Sequence, residues 1–178
     1  MNLLKSILFT LFVPGTITVV VPYLLLSSET GGVGRGSQMT TIVGWAAIGV
    51  GASIYLRAVS AFVLQGRGTP APIAPPQLLV VSGMYRYVRN PMYLGVICVL
   101  FGEAVAFSSP TLVVYTAAVA LLFHLFVVLY EEPRLRKQFG ESYDLYRTDV
   151  PRWVLKAPGR GGEKHIGGGP SGADQESS

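Results

Sequence analysis

The sequence predicts an all-α membrane protein with about four transmembrane helices. Hydrophobic residues make up 50% of its 178 residues and charged residues only 13%, against about 25% charged residues in an ordinary soluble domain. The mean hydropathy is positive, at +0.45. A bilayer core of about 30 Å requires roughly 20 mostly apolar residues per helix. Segments close to that length run over residues 4–26, 41–65, 92–107 and 111–130.

The first apolar segment contains two prolines, Pro14 and Pro22. Each proline removes a backbone donor, so we expect a kinked helix whose freed carbonyl groups are satisfied by its neighbours. A cleaved signal peptide is the alternative interpretation. We favour a retained span, because the apolar region is too long for a signal peptide and no small-residue cleavage site follows it.

The distribution of basic residues predicts the orientation of the spans. Lysine and arginine accumulate on the cytoplasmic side of short loops. With four spans, one side receives four basic residues of the first half of the chain and eight more from residues 134–164, whereas the other side receives only Arg35. Both termini and the loop over residues 66–91 are therefore expected to be cytoplasmic. Because topology accounts for the net charge of +4, we expect membrane lipids as partners and no nucleic acid.

The remaining compositional features concern domain organisation. Residues 1–156 are expected to form one membrane domain, and the Gly- and Ser-rich tail over residues 157–178 is expected to be disordered. Cys98 is the single cysteine and lies in an apolar run. One cysteine cannot form an intramolecular disulfide or a metal site built from cysteines, and we expect no metal. The C-terminal residues ADQESS carry no retention signal, which favours a bacterial-type inner membrane.

The loop over residues 66–95 is the first candidate for a binding site. It contains four prolines within residues 70–76 and ends in RYVRNPMYLG, directly before an apolar run. Prolines hold the backbone extended, so amide and carbonyl groups remain available to a ligand. Such a lining, with apolar side chains beside it, suits a flat heterocycle.

The segment YEEPRLRKQFGESYDLYRTDVPRW, residues 130–153, is the second candidate. Its apolar and aromatic residues recur at helical spacing, which predicts an amphipathic helix lying along the membrane surface. Glu131 and Glu132 stand at its start, where a helix dipole favours acidic residues. Alternatively, one carboxylate receives a cationic or hydroxyl-rich ligand. The residues at helical spacing are Leu135, Phe139, Tyr143 and Tyr146.

Together, LVVSGMYRYVRNPMYLG and EEPRLRKQFGESYDLYRTDVPR resemble the C-terminal cofactor-binding core of the isoprenylcysteine carboxyl methyltransferase and phospholipid methyltransferase superfamily. The resemblance covers residues 66–153, roughly half of the chain. It implies an integral membrane enzyme that binds S-adenosyl-L-methionine at the cytoplasmic ends of its helices. The methyl group would pass to a lipophilic acceptor, such as a lipid amine, a carboxylate or a small hydrophobic molecule.

The resemblance also implies a set of cofactor-binding positions. Charge complementarity adds Arg89, because S-adenosylmethionine carries a carboxylate with which Arg89 or Arg86 can pair. Tyr85 or Tyr93 can stack on the adenine or face the sulfonium. No catalytic side chain is evident. The positions implied by the resemblance are Gln77, Leu78, Leu79, Val80, Tyr85, Asn90, Pro91, Met92, Tyr93, Glu131 and Glu132.

Two positions depart from the isoprenylcysteine enzymes. Asn90 precedes Pro91 where those enzymes carry histidine, so an amide that does not titrate near neutrality replaces an imidazole. Val127 stands where they carry a substrate-contacting arginine. Both departures argue against a prenylcysteine carboxylate as the acceptor.

Three polar residues lie inside the predicted spans: Arg57, Glu103 and His124. Ionisable groups in lipid are costly, so Arg57 and His124 are candidates for the lining of an acceptor site. The structural alternative is that Arg57 pairs with Glu103 or extends to the interface, and that His124 is a satisfied buried histidine.

Two other functions are compatible with the sequence. One is a membrane reductase of the sterol-reductase type, which shares a related C-terminal core and uses NADPH. The other is a scaffold without catalysis. The reductase is disfavoured because a cofactor rich in phosphates requires more basic residues converging on the pocket than Arg86 and Arg89 provide.

Overall fold

The structure, a computed structural model, describes residues 12–28, 36–65 and 79–156, with residues 62–65 as backbone only. All regular secondary structure in these residues is helical, which confirms the all-α prediction. A short 3-10 turn, Gly83–Arg86, precedes the third long helix. The helices are α1 (Phe12–Ser28), α2 (Gln38–Gln65), α3 (Pro91–Ala106), α4 (Pro110–Phe139) and α5 (Glu141–Asp149).

The N-termini of α3 and α4 are each fixed by a proline in the first helical turn. Proline suits this position because its missing N–H has no intrahelical partner there. Ser109 precedes α4 with an extended backbone, and its Oγ accepts a hydrogen bond of 3.3 Å from the amide of Leu112. Both helices begin one residue before the predicted apolar segments.

Two helices contain a π-helical turn. In α1 the turn spans Thr16–Val20 and lies between the two prolines, and in α4 it spans Val127–Glu131 and ends two residues before Pro133. A proline cannot donate to the carbonyl group four residues earlier, which favours a locally wider turn. In α4 this turn ends at Glu131.

Close backbone contacts hold α2 and α3 together in antiparallel orientation. A Cβ atom on Gly51 would lie 2.7 Å from the carbonyl oxygen of Gly95, and one on Gly102 would lie 2.7 Å from the carbonyl oxygen of Gly44. Small residues let helix backbones approach closely inside a membrane, where burial of apolar surface drives association only weakly. We call these four glycines the glycine seam.

The opposite side of α3 packs against α4 and α1 through larger side chains. Val96, Leu100 and Val119 form a buried cluster there. Tyr115 of α4 donates a hydrogen bond of 3.0 Å to the carbonyl oxygen of Ile17 in α1. This bond fixes α1 across α4.

Two helices of the described residues are long and apolar enough to cross a membrane, namely Gln38–Ala61 and Pro110–Phe139. Phe12–Ser28 and Pro91–Ala106 are shorter apolar helices. Large apolar side chains on the outer faces are exposed, among them Trp45 at 58% and Leu122 at 64%. Such faces are typical of helices surrounded by lipid. The four-span topology stays a prediction.

The C-terminal segment differs from the single amphipathic helix predicted over residues 130–153. The chain turns at Gly140, where φ is +54°, so that α4 ends at Phe139 and α5 begins at Glu141. Glycine adopts this conformation without a steric penalty. Tyr143 and Tyr146 of α5 are buried, and Leu135 and Phe139 of α4 pack against their cluster. The predicted face therefore packs against the protein itself.

Candidate functional site

A cavity of about 560 Å³ lies where α1, α3 and α4 meet the 3-10 turn. Its volume is within the range of small-molecule and cofactor sites. One wall is polar and the other is apolar. The polar wall includes Tyr85, Arg89, Asn90, Tyr93 and Glu131, and the apolar wall includes Val13, Pro14, Ile17, Leu122, Phe123 and Phe126.

Glu131 is the acidic group of this cavity. Its Oε2 accepts a hydrogen bond of 3.0 Å from the hydroxyl group of Tyr93, which stands in the first turn of α3. Phe123 packs on the Tyr93 ring with a centroid distance of 4.8 Å. Tyr93, which is positioned by its contact with Phe123, thus holds Oε2 of Glu131. The other oxygen, Oε1, can accept a hydrogen bond from a ligand.

Arg89 is the basic group of the cavity and its side chain is 10% exposed. Its Nη1 lies 3.2 Å from Oε1 of Glu132, yet neither Nη1 nor Nε makes a hydrogen bond within the described residues. We treat this contact as ionic. The guanidinium group therefore retains two buried donors without a hydrogen-bond acceptor, a costly arrangement in the absence of a ligand.

Glu132 is bound chiefly by Arg152. The guanidinium group of Arg152 donates two hydrogen bonds to the carboxylate, of 2.6 Å from Nε and 2.8 Å from Nη2. These bonds raise the pKa of Arg152 above its ordinary value. We call Arg89, Glu132 and Arg152 the arginine clasp.

The chain after α5 runs along the loop that supplies the polar wall. The amide of Arg89 donates to the carbonyl oxygen of Pro151 at 3.0 Å, and the amide of Lys156 donates to that of Tyr87 at 3.0 Å. Nδ2 of Asn90 donates to the carbonyl oxygen of Arg152 at 3.2 Å. We call residues 150–156 the C-terminal strap.

Tyr85 connects the cavity to α5. Its backbone carbonyl oxygen accepts a hydrogen bond of 2.7 Å from the hydroxyl group of Tyr146. Burial raises the pKa of both tyrosines far above the ordinary value. Both side chains are therefore neutral. The hydrogen bond from Tyr146 ties the backbone of the 3-10 turn to α5.

The structure brings most of the predicted cofactor positions together. Leu79 and Val80 pack in apolar clusters beside the cavity rather than in its lining, and Glu132 lies in the clasp. Gln77 and Leu78 fall outside the described residues. The predicted residues that line the cavity are Tyr85, Arg89, Asn90, Pro91, Met92, Tyr93 and Glu131.

The three ionisable residues predicted inside the spans, Arg57, Glu103 and His124, are not part of the cavity lining. Arg57 is exposed, and within the described residues it makes no ion pair with Glu103, so that pairing is not formed. His124 accepts a hydrogen bond of 3.1 Å at Nδ1 from the indole of Trp153, as expected for a satisfied histidine. A role of Arg57 or His124 toward the acceptor stays a prediction.

Sequence reasoning missed three contributors. Arg152 was not singled out, although the pattern of an arginine shortly after Val150 and Pro151 was visible. Tyr55 lines the cavity from α2, and the start of α1 supplies part of the apolar wall. No local pattern identifies these last contacts, because they depend on how distant helices pack.

The chain is similar to a known protein family and to individual methyltransferases of other organisms. The family model described as phospholipid methyltransferase matches residues 39–142, more than half of the chain. The protein is 32% identical over 108 residues to a protein-S-isoprenylcysteine O-methyltransferase of Schizosaccharomyces pombe, which covers 58% of this chain and 45% of the relative. It is 33% identical over 76 residues to protein-S-isoprenylcysteine O-methyltransferase B of Arabidopsis thaliana, with 43% and 39% covered.

The chain thus spans less than half the length of these two relatives. No solved structure matches it. The family match includes α2 except its first residue, the loop with RYVRNPMYLG, and α3 and α4 with both acidic residues. The recognised resemblance is confirmed, and the chain belongs to the phospholipid methyltransferase family.

Proposed function

We propose that this protein transfers a methyl group from S-adenosylmethionine to a lipophilic acceptor at the cytoplasmic face of a membrane. One observation carries the proposal: in a member of a methyltransferase family, a single cavity joins a polar wall with one acid and one base to an apolar wall. A polar, charged donor and an apolar acceptor require these two surfaces side by side.

The polar wall fits the methyl donor. The methionine part of the donor carries an ammonium and a carboxylate, and the cavity offers the carboxylate of Glu131 and the donors at Nε and Nη1 of Arg89, which make no hydrogen bond within the described residues. Tyr85 and Tyr93 supply aromatic faces suited to an adenine or a sulfonium. These four residues are the proposed cofactor-binding group.

When bound, S-adenosylmethionine supplies an activated methyl group for an in-line displacement. The chain then has two tasks, which are to orient the acceptor and to exclude water. Phe123 and Phe126 provide the apolar surface beside the donor site. Glu131 is held by Tyr93 and does not require reorganisation when a ligand binds.

The apolar wall indicates where the acceptor binds. Val13 and Phe126 line the cavity and are also exposed on the outer surfaces of α1 and α4, at 39% and 41%. A lipid chain can therefore contact the cavity and the bilayer together. Val127, which by the resemblance stands where the isoprenylcysteine enzymes carry a substrate-contacting arginine, is buried and offers no charge to a carboxylate. We favour an acceptor whose reacting group is not anionic.

The cytoplasmic placement rests on charge. The cavity is lined by the start of α1, the start of α3 and the C-terminal part of α4, which share one side of a four-helix arrangement with alternating directions. That side also carries the basic residues after Phe126. Basic residues favour the cytoplasmic side.

The test is calorimetric binding to the full chain in lipid nanodiscs. S-adenosylhomocysteine and NADPH are titrated separately into the wild type, Glu131→Gln and a matched control, Glu141→Gln. Glu141 is exposed at the start of α5 and lies outside the cavity lining. We expect S-adenosylhomocysteine to bind the wild type and the control, with at least about tenfold weaker binding to Glu131→Gln, since a charge-assisted hydrogen bond contributes about 1.5–3 kcal/mol.

Binding of NADPH alone would favour a reductase, and binding of neither ligand would favour a scaffold. Equal affinity of the wild type and Glu131→Gln for S-adenosylhomocysteine would remove Glu131 from the site. The thermal unfolding midpoint of each variant establishes that a loss of binding does not reflect loss of the fold.

A further inference from the structure

We propose that Arg152, in the C-terminal strap, keeps Arg89 available as the anion-binding group of the cavity by occupying the carboxylate of Glu132. The inference rests on the proposed function, because it assigns the carboxylate of the methyl donor as the anion. It makes Arg152 a positioning residue that acts through Arg89. Residue 152 lies beyond residues 39–142, which the family model matches.

The first observation is the unequal sharing of Glu132. Two arginines approach this carboxylate, and both of its oxygens are bound by Arg152, at 2.6 Å and 2.8 Å. Arg89 reaches the same group only through a contact of 3.2 Å without hydrogen-bond geometry. A bidentate pair is the strongest arrangement available to a carboxylate, so Arg152 takes most of its capacity.

The second observation is the position of Arg89. Its side chain is nine-tenths buried and lines the cavity, and two of its nitrogen atoms lack an acceptor within the described residues. Tyr143 is a further hydrogen-bonding neighbour of the guanidinium group but carries no formal charge. The clasp itself holds two positive charges against one negative charge, and Arg89 is its member that lines the cavity, where an anionic ligand group would pair with it.

The third observation separates this role from simple support of the strap. The strap is also held by backbone carbonyl groups, those of Pro151 and Arg152, and by the indole of Trp153 on His124. None of these contacts uses the side chain of Arg152. A substitution of that side chain can therefore change the charge balance while the strap stays in place.

The proposal predicts opposite effects for the two partners of one ion pair. In Arg152→Gln, Glu132 is free to bind Arg89 fully, which withdraws Arg89 from the cavity. In Glu132→Gln, Arg89 loses its competing carboxylate and stays available. A role in structure alone predicts the same direction for both substitutions, because each one breaks the same contact.

The experiment compares S-adenosylhomocysteine with its decarboxylated analogue, which differs only in the anionic group. Dissociation constants of both ligands are measured by calorimetry with the full chain in nanodiscs. We expect the wild type to prefer S-adenosylhomocysteine about tenfold, as for a charged hydrogen bond. We expect Arg152→Gln to lose most of that preference, Glu132→Gln to keep or increase it, and Arg152→Lys, which keeps the charge but not the two parallel hydrogen bonds, to retain part of it.

Affinity for the decarboxylated analogue should change by less than about twofold in all three variants, which distinguishes the effect from damage to the cavity. Glu141→Gln is the control and should match the wild type. If Arg152→Gln does not fold, Glu132→Gln carries the test: a preference reduced to near unity in this variant contradicts the proposal, because Arg89 has then lost its competing carboxylate.

Three results would overturn the inference. One is a wild type that binds both ligands equally, and another is a shift of the preference in the same direction by Arg152→Gln and Glu132→Gln. In both, binding of S-adenosylhomocysteine leaves the proposed function intact. Binding of neither ligand to the wild type would instead contradict the proposed function and this inference together.

Discussion

The contact between α2 and α3 is made by glycine, whereas the contact between α4 and the C-terminal strap is made by charge. In the glycine seam, an added Cβ on Gly51 or Gly102 would meet a backbone oxygen at 2.7 Å. In the arginine clasp, two guanidinium groups surround the carboxylate of Glu132, whose side chain is 11% exposed. The first contact depends on the absence of side chains and the second on long, charged ones.

The difference separates the scaffold from the site. The seam brings α3 close to α2 and lies on the side of α3 away from α4, whereas the clasp adjoins the cavity and includes one of its lining residues. Small-residue contacts tolerate few substitutions because backbone atoms cannot move aside. Charged contacts tolerate conservative changes but respond to the balance of charge.

The largest effect is expected from Gly51→Leu in the seam. The new side chain would collide with the carbonyl oxygen of Gly95 and the amide of Val99, so we expect a loss of at least about 3 kcal/mol in the free energy of unfolding. Gly49→Leu is the matched control, since nothing lies within 4 Å of its Cβ position on the same helix. Thermal unfolding in detergent measures both. Similar midpoints for the two variants would mean that α2 and α3 do not pack through glycine.

A smaller loss is expected when the clasp is broken at Glu132. Glu132→Gln leaves Arg89 and Arg152 without a carboxylate in a mostly buried setting, and we expect a loss of about 2–3 kcal/mol in unfolding free energy, toward the lower end of the values for buried ion pairs because Arg152 is partly exposed. Glu141→Gln should leave the midpoint unchanged. An unfolding midpoint of Glu132→Gln equal to that of this control argues against a structural contribution of the clasp.

Tyr93→Phe sharpens the comparison inside the cavity. It removes the hydrogen bond of 3.0 Å to Glu131 while keeping the ring contact with Phe123. One hydrogen bond of about 1 kcal/mol corresponds to a roughly fivefold lower affinity for S-adenosylhomocysteine. Tyr87→Phe, at an exposed position of the same loop, is the control. Equal dissociation constants for the two variants would show that Tyr93 does not orient Glu131.

The smallest effect is expected at the exposed ion pairs of α5. Asp144 binds Arg136 at 3.0 Å and Arg147 at 3.3 Å, and the arginine side chains are 63% and 36% exposed. Solvent screens such pairs, so Asp144→Asn should change the unfolding free energy by less than about 0.5 kcal/mol. A loss comparable to that of Glu132→Gln would contradict the distinction between buried and exposed charge.

The sequence predicted the apolar helices well, because length and composition carry that signal. The starts of α3 and α4 at Pro91 and Pro110 lie one residue from the predicted positions. The break at Gly140 was missed, since helical spacing of aromatic residues continues across it. The glycine seam was also missed, although Gly44 and Gly51 are spaced by seven residues, as are Gly95 and Gly102.

The candidate site was predictable only where its residues lie close together in the sequence. Motif residues close in sequence, such as Asn90 to Tyr93, can be found by resemblance, and they do line one cavity. The partnership of Glu132 with Arg152 joins residues on two elements separated by a turn, and its geometry depends on the path of the strap. The apolar wall from α1 depends on helix packing, which no local pattern records.

The most direct test of the central claim is methyl transfer itself. Purified full chain in liposomes is supplied with S-adenosylmethionine that carries an isotopic label in its methyl group, and the label is followed into the organic phase after extraction. We expect labelled lipophilic product with the wild type and with Glu141→Gln, and at least about tenfold less with Glu131→Gln, since loss of a charged hydrogen bond lowers donor binding by that factor. Membranes from the source cells are added as a second source of acceptor. The account is contradicted if no label enters the organic phase under this condition, or if Glu131→Gln and the wild type give equal label.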